Sequence, residues 1–308
     1  MNRELRFRQR AEAWLFDAAL ALIPRLPRCV VNGLARLAGW VAWLVDRRDR
    51  RIATANVNLA YGTALSSSQK QRIVRQSFRT FARVGLDVFW MSRHTKTRYE
   101  RCIAMEESLR KWIGVGPLLA VTAHYGNWEI IGPFAASQGS SLASVAKPVQ
   151  NPLVDARITL LRQRTGQLIV PREGALKALL RRLRDGGSAA FALDQDTKVS
   201  AGGVFVEFFG VPAPVSSAAA LLAVKMQVPI VPVFCRQEPR GRYRCYARPA
   251  LMPADLEGLS AEDITQRIAA IIEEEIRHDP GQWLWMYKRW KRRKPGFDPS
   301  RYPFYADC

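Results

Sequence analysis

Strand-like runs that alternate with helical segments predict an α/β fold: a mixed, mostly parallel sheet flanked by helices, with a helical region at the N-terminus. Three observations carry this. Short apolar runs recur at 117–123, 142–146, 168–170, 189–193, 230–234 and 242–247. Between them lie stretches with helical spacing or helix stop signals. Neither internal repeats nor a long linker divides the chain, so residues 52–308 read as one α/β domain preceded by a helical region at 1–51.

The elements follow in order. Arg3, Arg6, Arg8 and Arg10 precede an apolar stretch at 13–23, which contains Asp17 and ends at Pro24 and Pro27. A spanning helix needs about 20 apolar residues, so this run is too short to cross a bilayer alone. A second run at 29–45 is broken by Asn32 and Arg36, carries Trp40 and Trp43, and is followed by Arg47, Arg48, Arg50 and Arg51. Cations beside tryptophans predict helices lying in a membrane interface. No uninterrupted apolar core with a small-residue cleavage site marks a signal peptide. Ser68-Gln69-Lys70-Gln71 reads as a capping box, with Ile73, Ser77, Phe81, Val84 and Val88 at helical spacing after it. Helices are expected at 153–164, closed by Gly166, at 173–183, closed by Arg184-Asp185-Gly186-Gly187, and at 215–227.

Composition narrows the class. The chain has 308 residues, 48% apolar and 24% charged, which describes a folded protein. Lys and Arg number 47 against 27 acidic residues, a net charge of +20 that calls for an anionic partner. Cys29, Cys102, Cys235, Cys245 and Cys308 are scattered without a CxxC pair, so they read as reduced thiols. No His/Cys cluster has ligand spacing, and neither a metal nor a cofactor is expected.

One run stands apart. His124-Tyr125-Gly126-Asn127-Trp128-Glu129 follows the first strand of the α/β region and precedes a helix. An imidazole at a strand end with a carboxylate nearby is the equipment of a general base. Residues five apart do not share a helical face, so His124 belongs to the loop and Glu129 to the first turn of the helix. His94 and His278 lack such surroundings and read as packing residues. There is no GxGxxG loop, Walker sequence or Gly-x-Ser-x-Gly elbow, which excludes the commonest nucleotide-binding and serine hydrolase patterns.

His124-x4-Glu129 resembles the HX4D/E motif of glycerolipid acyltransferases. Further blocks narrow the resemblance to the late lipid A (lauroyl/myristoyl) acyltransferases: Lys147-Pro148-x-x-Asn151-Pro152, Arg164-x-Gly166, Asp194-Gln195-Asp196, the 203–213 block, and Pro280-x-Gln282-Trp283-Leu284-Trp285 before a basic run. Departures are Lys147, Tyr287, Lys288 and the stretch 197–202, which bear on substrate choice.

The resemblance implies a glycerolipid acyltransferase-like fold at the cytoplasmic face of a bacterial inner membrane. It implies transfer of a fatty acyl chain from acyl carrier protein to a hydroxyl of a lipid A precursor, an anionic glycolipid; the alternative is an acyl-CoA donor or another glycolipid or aminolipid as acceptor. His124 would be the base and Glu129 its hydrogen-bonded orienter. Gly126 and Asn127 would approach the oxyanion. Asn151, Arg164, Asp194 and Gln195 would serve substrate binding, the last two by organising loops without touching the reacting atoms. Arg157 and Arg172 are further phosphate candidates, and Phe205, Phe208 and Phe209 line core or acyl pocket. The run 288–294 would meet anionic headgroups or an acidic carrier; nucleic acid is the remote alternative.

Overall fold

The computed structural model describes residues 3–171 and 174–307. Five helices open the chain: α1 (Arg3–Leu22), α2 (Arg28–Val45), α3 (Arg47–Tyr61), α4 (Ser67–Trp90) and α5 (Thr95–Cys102). Strands and helices then alternate: β1 (Ile103–Met105), α6 (Glu107–Arg110), β2 (Leu119–Thr122), α7 (Trp128–Ser137), β3 (Leu142–Ala146), α8 (Pro152–Gln163), β4 (Leu168–Pro171), α9 (Ala175–Arg184) and β5 (Ser188–Ala192). A hairpin, β6 (Gly203–Phe208) and β7 (Val211–Ser216), leads to α10 (Ala218–Met226), β8 (Ile230–Gln237), β9 (Tyr243–Ala247) and α11 (Ala261–His278).

Seven strands form one sheet in the order β1-β9-β8-β2-β5-β3-β4. β8, β2, β5, β3 and β4 run parallel, while β9 is antiparallel to β8 and parallel to β1. The predicted mixed, mostly parallel sheet is therefore the observed one. Apolar residues cover both faces. Along β8, Ile230 and Phe234 join one buried cluster while Val231, Val233 and Cys235 join the other. A continuous apolar run is what a strand buried on both sides requires.

Two local expectations are corrected, and one motif gains a structure. The capping box of α4 starts at Ser66, whose Oγ accepts from Gln69 N while Gln69 Oε1 accepts from Ser66 N. The helix expected at 215–227 begins at Ala218, because Val215 and Ser216 complete β7. The 203–213 block is a hairpin: Phe208 pairs with Val211, and the two residues between, Phe209 and Gly210, have φ of 51° and 73°. Two consecutive positive φ values make the tight primed turn that matches strand twist. The spacing had no Asn-Gly to announce it. α11 lies outside the alternation read above, though Ser260 and Asp263 form a capping box and Ile264, Ile268, Ile272 and Ile276 recur every fourth residue. The expected helix start at Glu173 lies outside the described residues.

The N-terminal helices pack on the α/β unit. α2 crosses α4 so closely that a Cβ on Gly39 would come within 2.5 Å of the Arg79 backbone. Arg28 of α2 pairs with fully buried Asp87 of α4. The boundary at residue 51 falls inside α3. No single helix among the described residues is long and apolar enough to cross a membrane, and the combined pair α2 and α3 bends by 91°.

Candidate active site

Register explains why two distant residues meet. β2 and β5 are parallel neighbours with Thr122 opposite Ala192. Two residues beyond each strand end stand His124 and Asp194, so the chain delivers them side by side at the carboxyl edge of the sheet. That edge is where open α/β sheets place ligands.

His124 Nδ1 lies 2.8 Å from Asp194 Oδ1. A carboxylate there accepts from Nδ1–H and leaves Nε2 with its lone pair, the form a general base needs. Gln195 Nε2 sits 3.2 Å from His124 Nε2 and donates to that lone pair. Asp194 is buried and held from three directions: besides the imidazole, its Oδ2 accepts from His124 N at 2.9 Å and from Trp283 Nε1 at 2.8 Å. Burial alone would raise the Asp194 pKa, but His124 and these donors hold it below the ordinary carboxylate value. Burial likewise opposes charge on His124, yet attraction to Asp194 raises its pKa above the ordinary 6.5.

The expected partner of the imidazole is thus replaced. Glu129 bonds Arg162 instead, Oε1 accepting from Nη2 at 2.7 Å and Oε2 from Nε at 3.0 Å. On the first turn of α7, Glu129 faces α8, whereas Asp194 approaches along the neighbouring strand. Glu129 still acts on His124 through space, and its charge favours the imidazolium. Burial would lower the Arg162 pKa, but Glu129 raises it above its ordinary value. Arg162 was missed by motif spacing, because the matching block pointed to Arg164. Residues two apart on a helix point about 200° from each other. Arg162 therefore faces the site, while Arg164 turns away and donates to Ser92 O at 3.1 Å.

The loop holding His124 is fixed by a segment from the far end of the chain. Tyr125 bridges Trp283, Leu284 N donates to His124 O at 3.1 Å, and Gly126 N donates to Gln282 O at 2.9 Å. Gly126 has φ of 61°, and a Cβ there would overlap Cys235 O at 2.0 Å, so no other residue fits. These same bonds correct the oxyanion expectation. Gly126 N and Asn127 N, the latter 2.7 Å from Cys235 O, are both spent on the backbone. The Asn127 side chain is fully buried and its Nδ2 donates to Asp87 Oδ2 at 3.3 Å. It anchors the loop and faces away from the reacting position.

Other expected contacts serve the fold. Asn151 caps α8, its Oδ1 accepting from Leu153 N, while its Nδ2 donates to Gln9 O and Glu12 Oε2 of α1, both at 2.9 Å. Its donors are used up, which removes it from the binding set. Arg157 forms a two-bond ion pair with Asp17 of α1. Arg172 lies outside the described residues. Phe208 and Phe209 are buried core.

Only part of the terminal basic run lies at the surface. Trp290 and Arg289 are fully buried, Arg289 Nη1 donating to Pro214 O at 2.9 Å while burial pulls its pKa down to about 10. Trp283, Trp285 and Trp290 are fully enclosed. Truncating one such tryptophan costs about 3–5 kcal/mol.

His124, Glu129, Arg162 and Gln195 open onto a cavity of about 710 Å³ lined further by apolar side chains such as Ile131, Leu176, Leu179 and Leu221. Its volume falls in the range of ligand sites, and its mixed lining suits a substrate with an apolar body and a polar reacting end. Among the described residues no three His, Cys, Asp or Glu side chains converge as a metal site. Cys29, Cys102, Cys235 and Cys245 are free thiols.

Comparison with known proteins points to one family. A family described as bacterial lipid A biosynthesis acyltransferase matches residues 1–292. The lipid A biosynthesis lauroyltransferase of Escherichia coli (strain K12) is 26% identical over 298 residues, covering 94% of each chain. A lipid A biosynthesis acyltransferase of Haemophilus influenzae is 24% identical, covering 92% of this chain and 89% of its own. A phosphatidylinositol mannoside acyltransferase of Mycobacterium tuberculosis is 28% identical over 182 residues, covering 58% of this chain and 55% of its own. Among solved structures, the 1-acyl-sn-glycerophosphate acyltransferase of Thermotoga maritima aligns with 83% of this chain and 99% of its own, at 15% identity and a TM-score of 0.38, too loose a likeness to bear on the site.

Proposed function

This chain belongs to the bacterial lipid A biosynthesis acyltransferase family, and we propose that it moves a fatty acyl chain from a thioester on acyl carrier protein to a hydroxyl of a lipid A precursor at a membrane surface. The observation that carries the reading is an imidazole bonded at Nδ1 to a buried carboxylate, with Nε2 at the mouth of a largely apolar cavity.

In this reading the acceptor hydroxyl displaces the Gln195 amide from Nε2. His124 takes the hydroxyl proton as the oxygen attacks the thioester carbonyl carbon. The tetrahedral intermediate collapses with cleavage of the C–S bond, and the imidazolium returns its proton to the departing thiolate. The products are an ester and a free thiol. Asp194 holds the tautomer and stabilises the imidazolium. The oxyanion meets the Gln195 amide and Arg162, whose Nη1 makes no other hydrogen bond among the described residues. Glu129 aims Arg162. An alcohol relieved of its proton is an adequate nucleophile towards a thioester, so no acyl-enzyme is needed.

Membrane association is supported by the outer face of α1 and α2. Phe7, Trp14, Leu37, Trp40 and Val45 are exposed there, Val45 by 75% and Trp14 by 69%, next to Arg6, Arg36 and Arg47. Trp43 does not belong to this face; it is half-buried beneath Arg50 and Arg75. Trp290 and Arg289 are buried, so the aromatic within the run 288–294 is not offered to a partner at the surface.

Mass spectrometry of membrane glycolipid from cells with and without the protein tests the proposal. One acyl group missing from a lipid A precursor is the expected result. An unchanged glycolipid profile, or the loss of acyl from another lipid, would remove the acceptor. Purified protein offered acyl carrier protein and CoA thioesters in parallel reads the donor.

A further inference from the structure

A second cavity of about 510 Å³ adjoins the first and shares Lys147, Gln195, Asp196 and Ala201 with it. Its other walls come from Lys198 in the segment between β5 and β6, from the start of α3 and from the C-terminal segment. Six cations line it, Arg48, Lys147, Lys198, Lys288, Lys291 and Arg292, against two acids, Asp49 and Asp196. Asp196 is already paired with Arg292. Arg48, Lys147, Lys198, Lys288 and Lys291 have no ion-pair partner among the described residues. Lys288 is half-buried, its ammonium 5.6 Å from the centre of the Tyr305 ring.

Uncompensated cations converging on a concavity repel one another unless an anion joins them, and a tetrahedral oxyanion with several acceptor oxygens is the group that lysines bind as point charges. We propose that this basic cavity holds a phosphoryl group of one of the two substrates. The proposal rests on reading the His124 cavity as the acyl-transfer site. Gln195 touches His124 Nε2 and Asp196 follows it in the chain, so a phosphoryl group here belongs to the same bound molecule as the reacting carbon or hydroxyl. Two sources share the chemistry: the phosphate of the donor's phosphopantetheine arm and a phosphate on the acceptor glycolipid.

The first test is binding of inorganic pyrophosphate, which needs no turnover. The wild type should bind it, and Lys291→Gln and Lys288→Gln should each weaken binding about tenfold, the effect of one lost charge-assisted hydrogen bond. Lys291 is exposed, so its variant folds even if Lys288→Gln is destabilised, and circular dichroism checks both. Equal affinity of wild type and Lys291→Gln overturns the proposal. Kinetic arms then separate the sources. Acyl-phosphopantetheine against acyl-pantetheine, and phosphorylated against dephosphorylated acceptor, each give a KM ratio in wild type. The ratio that collapses in the double variant names the source, and no collapse in either overturns the proposal. Absence of turnover with every donor would sink the acyl-transfer reading while the pyrophosphate result still judges the cavity.

Discussion

Two carboxylates flank one imidazole, and the fold uses them differently. Asp194 stands at the end of β5, buried, bonded to His124 and backed by the Trp283 indole. Glu129 stands on the first turn of α7, one-fifth exposed, and spends both oxygens on Arg162. The first is fixed by parallel strand register, which holds its distance to the imidazole. The second is fixed by a helix–helix ion pair and presents a guanidinium to the cavity. One carboxylate holds the imidazole, and the other holds a guanidinium.

That contrast can be broken in descending order of effect. His124→Ala should lower acyl transfer most, by about 10⁴-fold, because the base is gone while binding persists. Near-normal turnover in a folded variant removes the mechanism. Asp194→Asn should cost about 10³-fold by favouring the wrong tautomer. It should also move the acidic limb of the pH–rate profile. The base must be neutral to work, so activity rises as pH climbs through the His124 pKa, which Asp194 holds above the ordinary 6.5. Removing that charge lets burial dominate and shifts the limb to lower pH; a limb that stays put would sever Asp194 from the base.

Glu129→Gln should reduce turnover about 10²-fold, the effect of misplacing a stabilising group, and the limb should shift downwards far less than in Asp194→Asn. Arg162→Lys should resemble it, since a lysine keeps the charge but cannot make the two-bond fork. If Glu129→Gln moved the limb as far as Asp194→Asn, the division of labour would be wrong. The smallest effect is expected from Arg164→Ala, within about twofold of wild-type turnover, because its side chain reaches Ser92 O outside the cavity.

The α/β alternation was legible because apolar runs and stop signals are local. His124 was legible for the same reason: a strand end, a glycine turn and a helix start stand within a dozen residues. Asp194 was visible as part of a motif but not as the partner of His124, since 70 residues separate them and only the pairing of β2 with β5 joins them. Spacing favoured the nearby Glu129, yet sequence proximity says nothing about which way a first-turn side chain faces once another helix packs there.

The two ends of the chain teach the same point. Both combine tryptophans with arginines. At 7–45 several of those aromatics remain outside, whereas at 283–290 three tryptophans and Arg289 are enclosed by the hairpin β6–β7 and by α4. Composition assigned 13–45 to a membrane interface and 288–294, with Trp290, to a charged surface. By itself the sequence determined the fold class and the family and singled out His124, because those depend on local periodicity and ordered motifs. Only the tertiary structure decided that Asp194 holds His124, that Glu129 holds Arg162, and that Asn127 and Asn151 serve the scaffold. Each of those is a choice among distant partners, and it is made by strand register and helix packing.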